Sequence, residues 1–163
     1  MACHTSRAGC GALVSVPALR DQFGQSWPFP PIAGPDQPGW NRTWLIFIPG
    51  AYTPVCMSEL AAVPELAEAL SNEHVGVRLI APDAAPVLRM VADQMELTVP
   101  LLSDFWPHGA AAKYYGVFDE ATGRPRRISV LVDRSGAVLT TLVSTSGSRK
   151  MGDHLTVLHN EKQ

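Results

Sequence analysis

Five consecutive apolar residues, Trp-Leu-Ile-Phe-Ile at 44–48, are bounded by Asn41-Arg42 before and Pro49-Gly50 after. An unbroken apolar run of that length predicts a strand buried on both faces of a sheet. Thr53 followed by Pro54 then starts a helix, because threonine caps a free N–H and proline is tolerated at the first helical position. Leu60, Val63, Leu66, Ala67 and Leu70 recur at helical spacing, so the helix should reach about residue 70, kinked where Pro64 removes a backbone donor. Residues 75–81 read as a second buried strand, 85–95 as an amphipathic helix and 99–102 as a short strand. That βαβ order favours a parallel arrangement. A helix at about 108–115 precedes two strands, 128–132 and 137–143, joined by the turn Asp133-Arg134-Ser135-Gly136. Residues 151–159 close the pattern as a short helix. The predicted class is α/β, a central mixed β-sheet flanked by helices, with parallel strands first and an antiparallel hairpin last.

Composition narrows this picture. A length of 163 residues suits one domain, expected over 13–163 behind a mobile leader at 1–12. Apolar residues at 46% and charged residues at 17% describe a chain that folds. Residues 29–39 carry four prolines and two glycines and predict an irregular loop. The net charge of -2, with no basic stripe, argues against a nucleic-acid partner. No run approaches the roughly 20 apolar residues of a membrane span, and the polar start does not resemble a signal peptide. The expectation is a cytoplasmic protein with no membrane partner.

Three cysteines, Cys3, Cys10 and Cys56, do not make a disulfide framework. Cysteine is often simply a small buried residue, and Cys3-His4 with Cys10 lacks the fourth ligand of a closed zinc site, so neither metal nor cofactor is expected. Cys56 is different, because it falls in the first turn of the predicted helix. An ordinary thiol is only a few per cent thiolate at neutral pH, and the thiolate is the nucleophile. The free N–H groups and partial positive charge of a helix start stabilise that anion.

The run Pro49-Gly50-Ala51-Tyr52-Thr53-Pro54-Val55-Cys56, followed by Glu59-Leu60, resembles the peroxiredoxin signature Pro-x-x-x-Thr/Ser-x-x-Cys. Downstream, Arg127-Ile128-Ser129-Val130-Leu131-Val132-Asp133 resembles the segment in which that family's active-site arginine opens a strand ending in aspartate at a turn. Arg124 and Arg126 are nearby decoys. The stretches at 101–109 and 115–120 are similar to the one-cysteine group of alkyl hydroperoxide reductase E, and the resemblance covers about residues 17–141. It implies a thioredoxin-like fold and a thiol-dependent peroxidase. Cys56 would attack a hydroperoxide, Arg127 would stabilise thiolate and peroxide, Thr53 would hydrogen-bond both, Pro49 would shield the site, and Glu59 would organise the arginine. No cysteine follows Cys56, which points to an external thiol reductant, a low-molecular-weight thiol with a glutaredoxin-like or thioredoxin-like protein. Cys3 or Cys10 could resolve Cys56 only if the leader reached back. Relatives also imply a homodimer, with Phe105, Trp106 and His108 either packing residues or part of the site or subunit contact.

Two other functions fit the fold. A thiol-disulfide oxidoreductase would carry Cys-x-x-Cys, where this chain has Thr53-Pro54-Val55-Cys56. A redox-sensing or interaction protein would keep the motif without rapid turnover.

Overall fold

The structure, a computed structural model, describes residues 16–34, 40–144 and 147–161. The expected leader with Cys3 and Cys10, and part of the Pro-rich segment, lie outside the described residues. Along the chain come β1 (Leu19–Arg20), β2 (Ser26–Trp27), β3 (Arg42–Phe47), α1 (Pro54–Ser71), β4 (Val75–Ala81), α2 (Ala85–Met95) and β5 (Leu101–Ser103). They are followed by α3 (Ala110–Tyr114), β6 (Phe118–Asp119), β7 (Arg124–Pro125), β8 (Ile128–Asp133), β9 (Val138–Val143) and α4 (Asp153–Asn160). The seven-stranded sheet has the order β2-β1-β5-β4-β3-β8-β9. Strands β3, β4 and β5 are parallel, while β8 runs antiparallel to β3 and β9 antiparallel to β8. The mixed sheet therefore has its parallel strands first and its antiparallel hairpin last, as the apolar pattern predicts.

Alternate residues of the central strands serve two cores. Trp44, Ile46, Val77 and Leu79 pack with Leu60, Val63, Leu88 and Leu158 from α1, α2 and α4. Leu45, Phe47 and Ile80 pack on the other face with Trp27, Ala111 and Tyr115. Both faces are covered, which is why β3 and β4 read as unbroken apolar runs. Each fully buried large aliphatic side chain stabilises the fold by about 1.5–3 kcal/mol.

Helix α1 runs through Pro64 as one element to Ser71, close to the end that the apolar spacing predicts, with Leu60, Val63, Leu66 and Leu70 all buried along it. Two short pairings, β1 with β2 and β6 with β7, go beyond the sequence reading. A short hairpin, β1 with β2, precedes the core and joins β5 through the pair Arg20 and Ser103. Its turn is built by Asp21, whose carboxylate accepts from the N–H groups of Phe23 (2.8 Å) and Gln25 (2.9 Å) and from Trp27 Nε1 (2.9 Å). Gly24 sits there at φ +79°, a conformation glycine adopts without strain.

Candidate active site

Strand β3 ends at Phe47, and Ile48 still donates to Ile80 O at 3.0 Å, so the chain leaves the sheet at its carboxyl edge. The loop at 49–53 turns it back into α1. Asp83, just past β4, pins that loop by accepting from Ala51 N at 2.8 Å. Thr53 is the N-cap, in extended conformation, and its Oγ1 accepts from Cys56 N at 3.2 Å. Capping fixes the first turn and places Cys56 within the field of the helix N-terminus. Cys56 is fully buried, among apolar side chains of the α1 core. Pro49 is half-buried and lies in the same loop.

One turn along the same helix face, Glu59 is also buried, and it gathers two arginines from far along the chain. Its Oε2 accepts from Arg127 Nη1 at 2.9 Å and from Arg149 Nη2 at 3.0 Å. Its Oε1 accepts from Arg149 N at 2.7 Å and from Arg149 Nε at 3.1 Å. Topology brings Arg127 here: β8 is antiparallel to β3, with Ser129 opposite Ile46, so the start of β8 lies where β3 ends. Arg127 keeps 17% of its side chain exposed, whereas Arg149 keeps 1%. Burial alone would raise the Glu59 carboxyl, but the hydrogen bonds and charge of Arg149, with the charge of Arg127, hold it below the ordinary glutamate value.

The cluster continues inward. Arg149 Nη1 donates to Ser129 Oγ at 3.1 Å, and Ser129 Oγ lies 2.8 Å from His154 Nε2. His154 Nδ1 is 2.9 Å from Met151 O, and burial lowers the His154 pKa to about 4. Glu59, anticipated as a helix residue that organises the arginine, is thus the centre of a buried network. Arg149 and His154 went unread as site residues, since nothing adjacent to them in sequence marks them, and Ser129 stood inside the Arg127–Asp133 segment with no role of its own.

Outside the loop lies a cleft of about 360 Å³ whose lining includes Pro49, Tyr52, Thr53, Asp83, His108 and Arg124. Arg124 therefore borders the approach to the loop, while Arg126 turns away to donate to Gly116 O at 3.1 Å. His108 Nε2 meets Gly123 O at 2.9 Å, and Phe105 and Trp106 are exposed. Among the described residues, no three His, Cys, Asp or Glu side chains come together to hold a metal ion. No helix among them is long and apolar enough to cross a membrane.

Known proteins share this architecture. Residues 31–140 match the AhpC/TSA family model. Alkyl hydroperoxide reductase E of Mycobacterium bovis and of Mycobacterium tuberculosis are each 38% identical over 100 residues, covering 61% of this chain. The match spans 65% of those relatives' own length. Peroxidoxin BcpB from Mycobacterium tuberculosis superposes with a TM-score of 0.70 at 24% identity, covering 88% of this chain and 89% of that one. A peroxiredoxin-like protein from Aquifex aeolicus gives 0.71 at 17% identity, covering 95% and 91%. With the thioredoxin-like sheet, the Thr53-capped helix and Cys56 in its first turn, the chain belongs to the AhpC/TSA family of peroxiredoxins.

Proposed function

We propose that the chain is a thiol-dependent peroxidase acting on hydrogen peroxide and organic hydroperoxides through Cys56. The observation that carries this reading is Cys56 in a capped first turn, with Glu59 one turn along the same helix holding Arg127 at 2.9 Å. The Cys56 thiolate attacks the distal peroxide oxygen in line. An S–O bond forms as the O–O bond breaks, and sulfur gives up two electrons. The leaving oxygen departs as water or an alcohol once protonated, and Cys56 becomes a sulfenic acid. Negative charge moves from sulfur to the leaving oxygen, where helix N–H groups and Arg127 oppose it. Thr53 hydrogen-bonds thiolate and peroxide at the loop, and Pro49 limits water there.

No cysteine follows Cys56 in the sequence. In this reading an external thiol, rather than Cys3 or Cys10, reduces the sulfenic acid, forming a mixed disulfide and releasing water. A second thiol, supplied by a small molecule or a glutaredoxin-like or thioredoxin-like protein, then frees Cys56. Exposed Phe105 and Trp106, leading into the His108 wall of the cleft, suit the pairing of two copies into a homodimer. The place of work is the cytoplasm, where such thiols are kept reduced.

Pre-reduced protein mixed with hydrogen peroxide or an alkyl hydroperoxide in stopped flow tests the reading, with sulfenic acid trapped for mass spectrometry. Oxidation should be rapid, confined to Cys56, absent in Cys56→Ser and slowed about a hundredfold in Arg127→Ala. Oxidation no faster than a free thiol would discard the peroxidase and favour a redox-sensing protein.

A further inference from the structure

Behind Glu59, the direction of every hydrogen bond can be assigned. Met151 O is a carbonyl and only accepts, so His154 Nδ1, 2.9 Å away, carries a proton. A neutral imidazole then offers Nε2 as an acceptor, and the group at 2.8 Å is the Ser129 hydroxyl. Ser129 must therefore give its proton to His154. That turns the lone pairs of Ser129 Oγ toward Arg149, whose Nη1 donates at 3.1 Å. Arg149 spends Nε, Nη2 and its backbone N–H on Glu59. Glu59 in turn holds Arg127. Ser129 and His154 are fully buried, so the inner links of the chain are made within the core.

The ring is fixed as well. His154 stands edge-on to Trp44, ring centres 4.8 Å apart at 85°, and Trp44 belongs to β3, the strand that leads into the catalytic loop. The imidazole thus has one orientation and one tautomer, and the hydroxyl it fixes has one as well.

We propose that His154 is a positioning residue of the peroxidase: through the Ser129 hydroxyl it orients Arg149, and through Arg149 and Glu59 it holds Arg127 at the level of Cys56. The inference rests on the peroxidase reading for its kinetic consequence, while the assigned tautomer stands independently of it.

The test pairs kinetics with spectroscopy on the full chain. Ser129→Ala and His154→Ala should each slow Cys56 oxidation about tenfold, the scale of one hydrogen bond to a charged group. Ser129→Thr, which keeps the hydroxyl, should recover most of that loss. In an Arg149→Ala background, Ser129→Ala should add nothing, because the link it breaks is already gone. Equal slowing with and without Arg149, or no slowing at all, overturns the relay. Where a variant fails to fold, 15N NMR of His154 in the wild type decides. A proton on Nδ1 and a bare Nε2 at neutral pH are expected, and a proton on Nε2 overturns the assignment. Slow peroxide oxidation of the wild type together with the expected tautomer would remove the peroxidase and, with it, the positioning role, leaving the hydrogen-bond chain as structure alone.

Discussion

Among the described residues two arginines are buried, Arg78 and Arg149, and they are treated in opposite ways. Arg149 meets a carboxylate with three of its donors and a hydroxyl with a fourth. Arg78, on β4 and 2% exposed, meets no carboxylate among the described residues. Its Nη1 donates to Val77 O at 2.9 Å and its Nη2 to Ile32 O at 3.0 Å. Its carbon Cζ lies 4.9 Å from the centre of the Trp27 ring, and its Nε has no partner. Burial depresses the Arg78 pKa to about 10, the mark of a desolvated charge with no opposite charge beside it. The side chain of Arg78 ties the segment at 27–32 to the sheet. Arg149 is instead part of a polar network whose outer end reaches the helix of Cys56. A buried charge that is fully paired and directed at one place fits a site, whereas one spread over carbonyls and a ring fits a scaffold.

Removing the carboxylate should give the largest effect. Glu59→Ala leaves Arg149 buried with no counter-charge, a change worth about 3–5 kcal/mol when one partner of a buried ion pair is lost. Urea denaturation should show that loss, together with slowed Cys56 oxidation. A loss below about 1 kcal/mol would place the pair in the class of exposed ion pairs and erase the contrast with Arg78.

Acid should weaken the paired region selectively. His154 has a folded pKa of about 4 against an ordinary value of 6.5, so between those values the unfolded chain binds a proton that the folded chain refuses. Stability rises with pH wherever the unfolded state binds more protons. The contribution is therefore complete above about pH 6.5 and is lost as pH falls toward 4, amounting to about 3 kcal/mol. Glu59, whose folded pKa is lowered, has the same sign and loses its contribution at still lower pH. Subtracting the stability profile of His154→Gln from that of the wild type isolates the histidine. The difference should fall between pH 6.5 and 4, and a flat difference would remove His154 from the account.

How much of this was legible beforehand divides along the same line. The strand at 44–48, the capped helix, Cys56 and Arg127 all announce themselves through neighbours in sequence: an apolar run, a Thr-Pro step, a register ending in Asp133. Even Glu59 could be suspected from the family resemblance, in which it follows the cysteine. Arg149 and His154 sit in a short polar tail, 90 residues beyond Glu59 in the case of Arg149, and their roles exist only after β8, β9 and α4 have folded back over α1. The β1–β2 hairpin escaped for a different reason. Its strands are two residues long, too short for alternation to register, and its turn depends on one aspartate accepting from three donors. Arg78 is one polar letter inside an apolar strand, and its burial comes with Trp27 and Ile32 closing over it, which no local pattern encodes.

The smallest expected effect is the sharpest test of the contrast. Replacing Arg78 by methionine removes a charge whose depressed pKa corresponds to about 3 kcal/mol of unfavourable desolvation. The replacement also removes two hydrogen bonds to carbonyls, worth about 1.5–3 kcal/mol together after leaving those acceptors bare, and a cation–π contact worth about 1 kcal/mol. These contributions nearly cancel, and methionine fills most of the vacated volume with a flexible apolar chain. The Arg78→Met variant should therefore keep its stability within about 1 kcal/mol of the wild type in urea denaturation, and its Cys56 oxidation rate should not change. The same substitution at Arg149 strips both side-chain donors of Arg149 from Glu59, leaving its backbone N–H and Arg127 Nη1, and belongs with the large losses. If Arg78→Met instead cost as much as Arg149→Met, the guanidinium would be bonded more strongly than two carbonyls and a ring allow, and the distinction between a scaffold charge and a site charge would have to be drawn elsewhere.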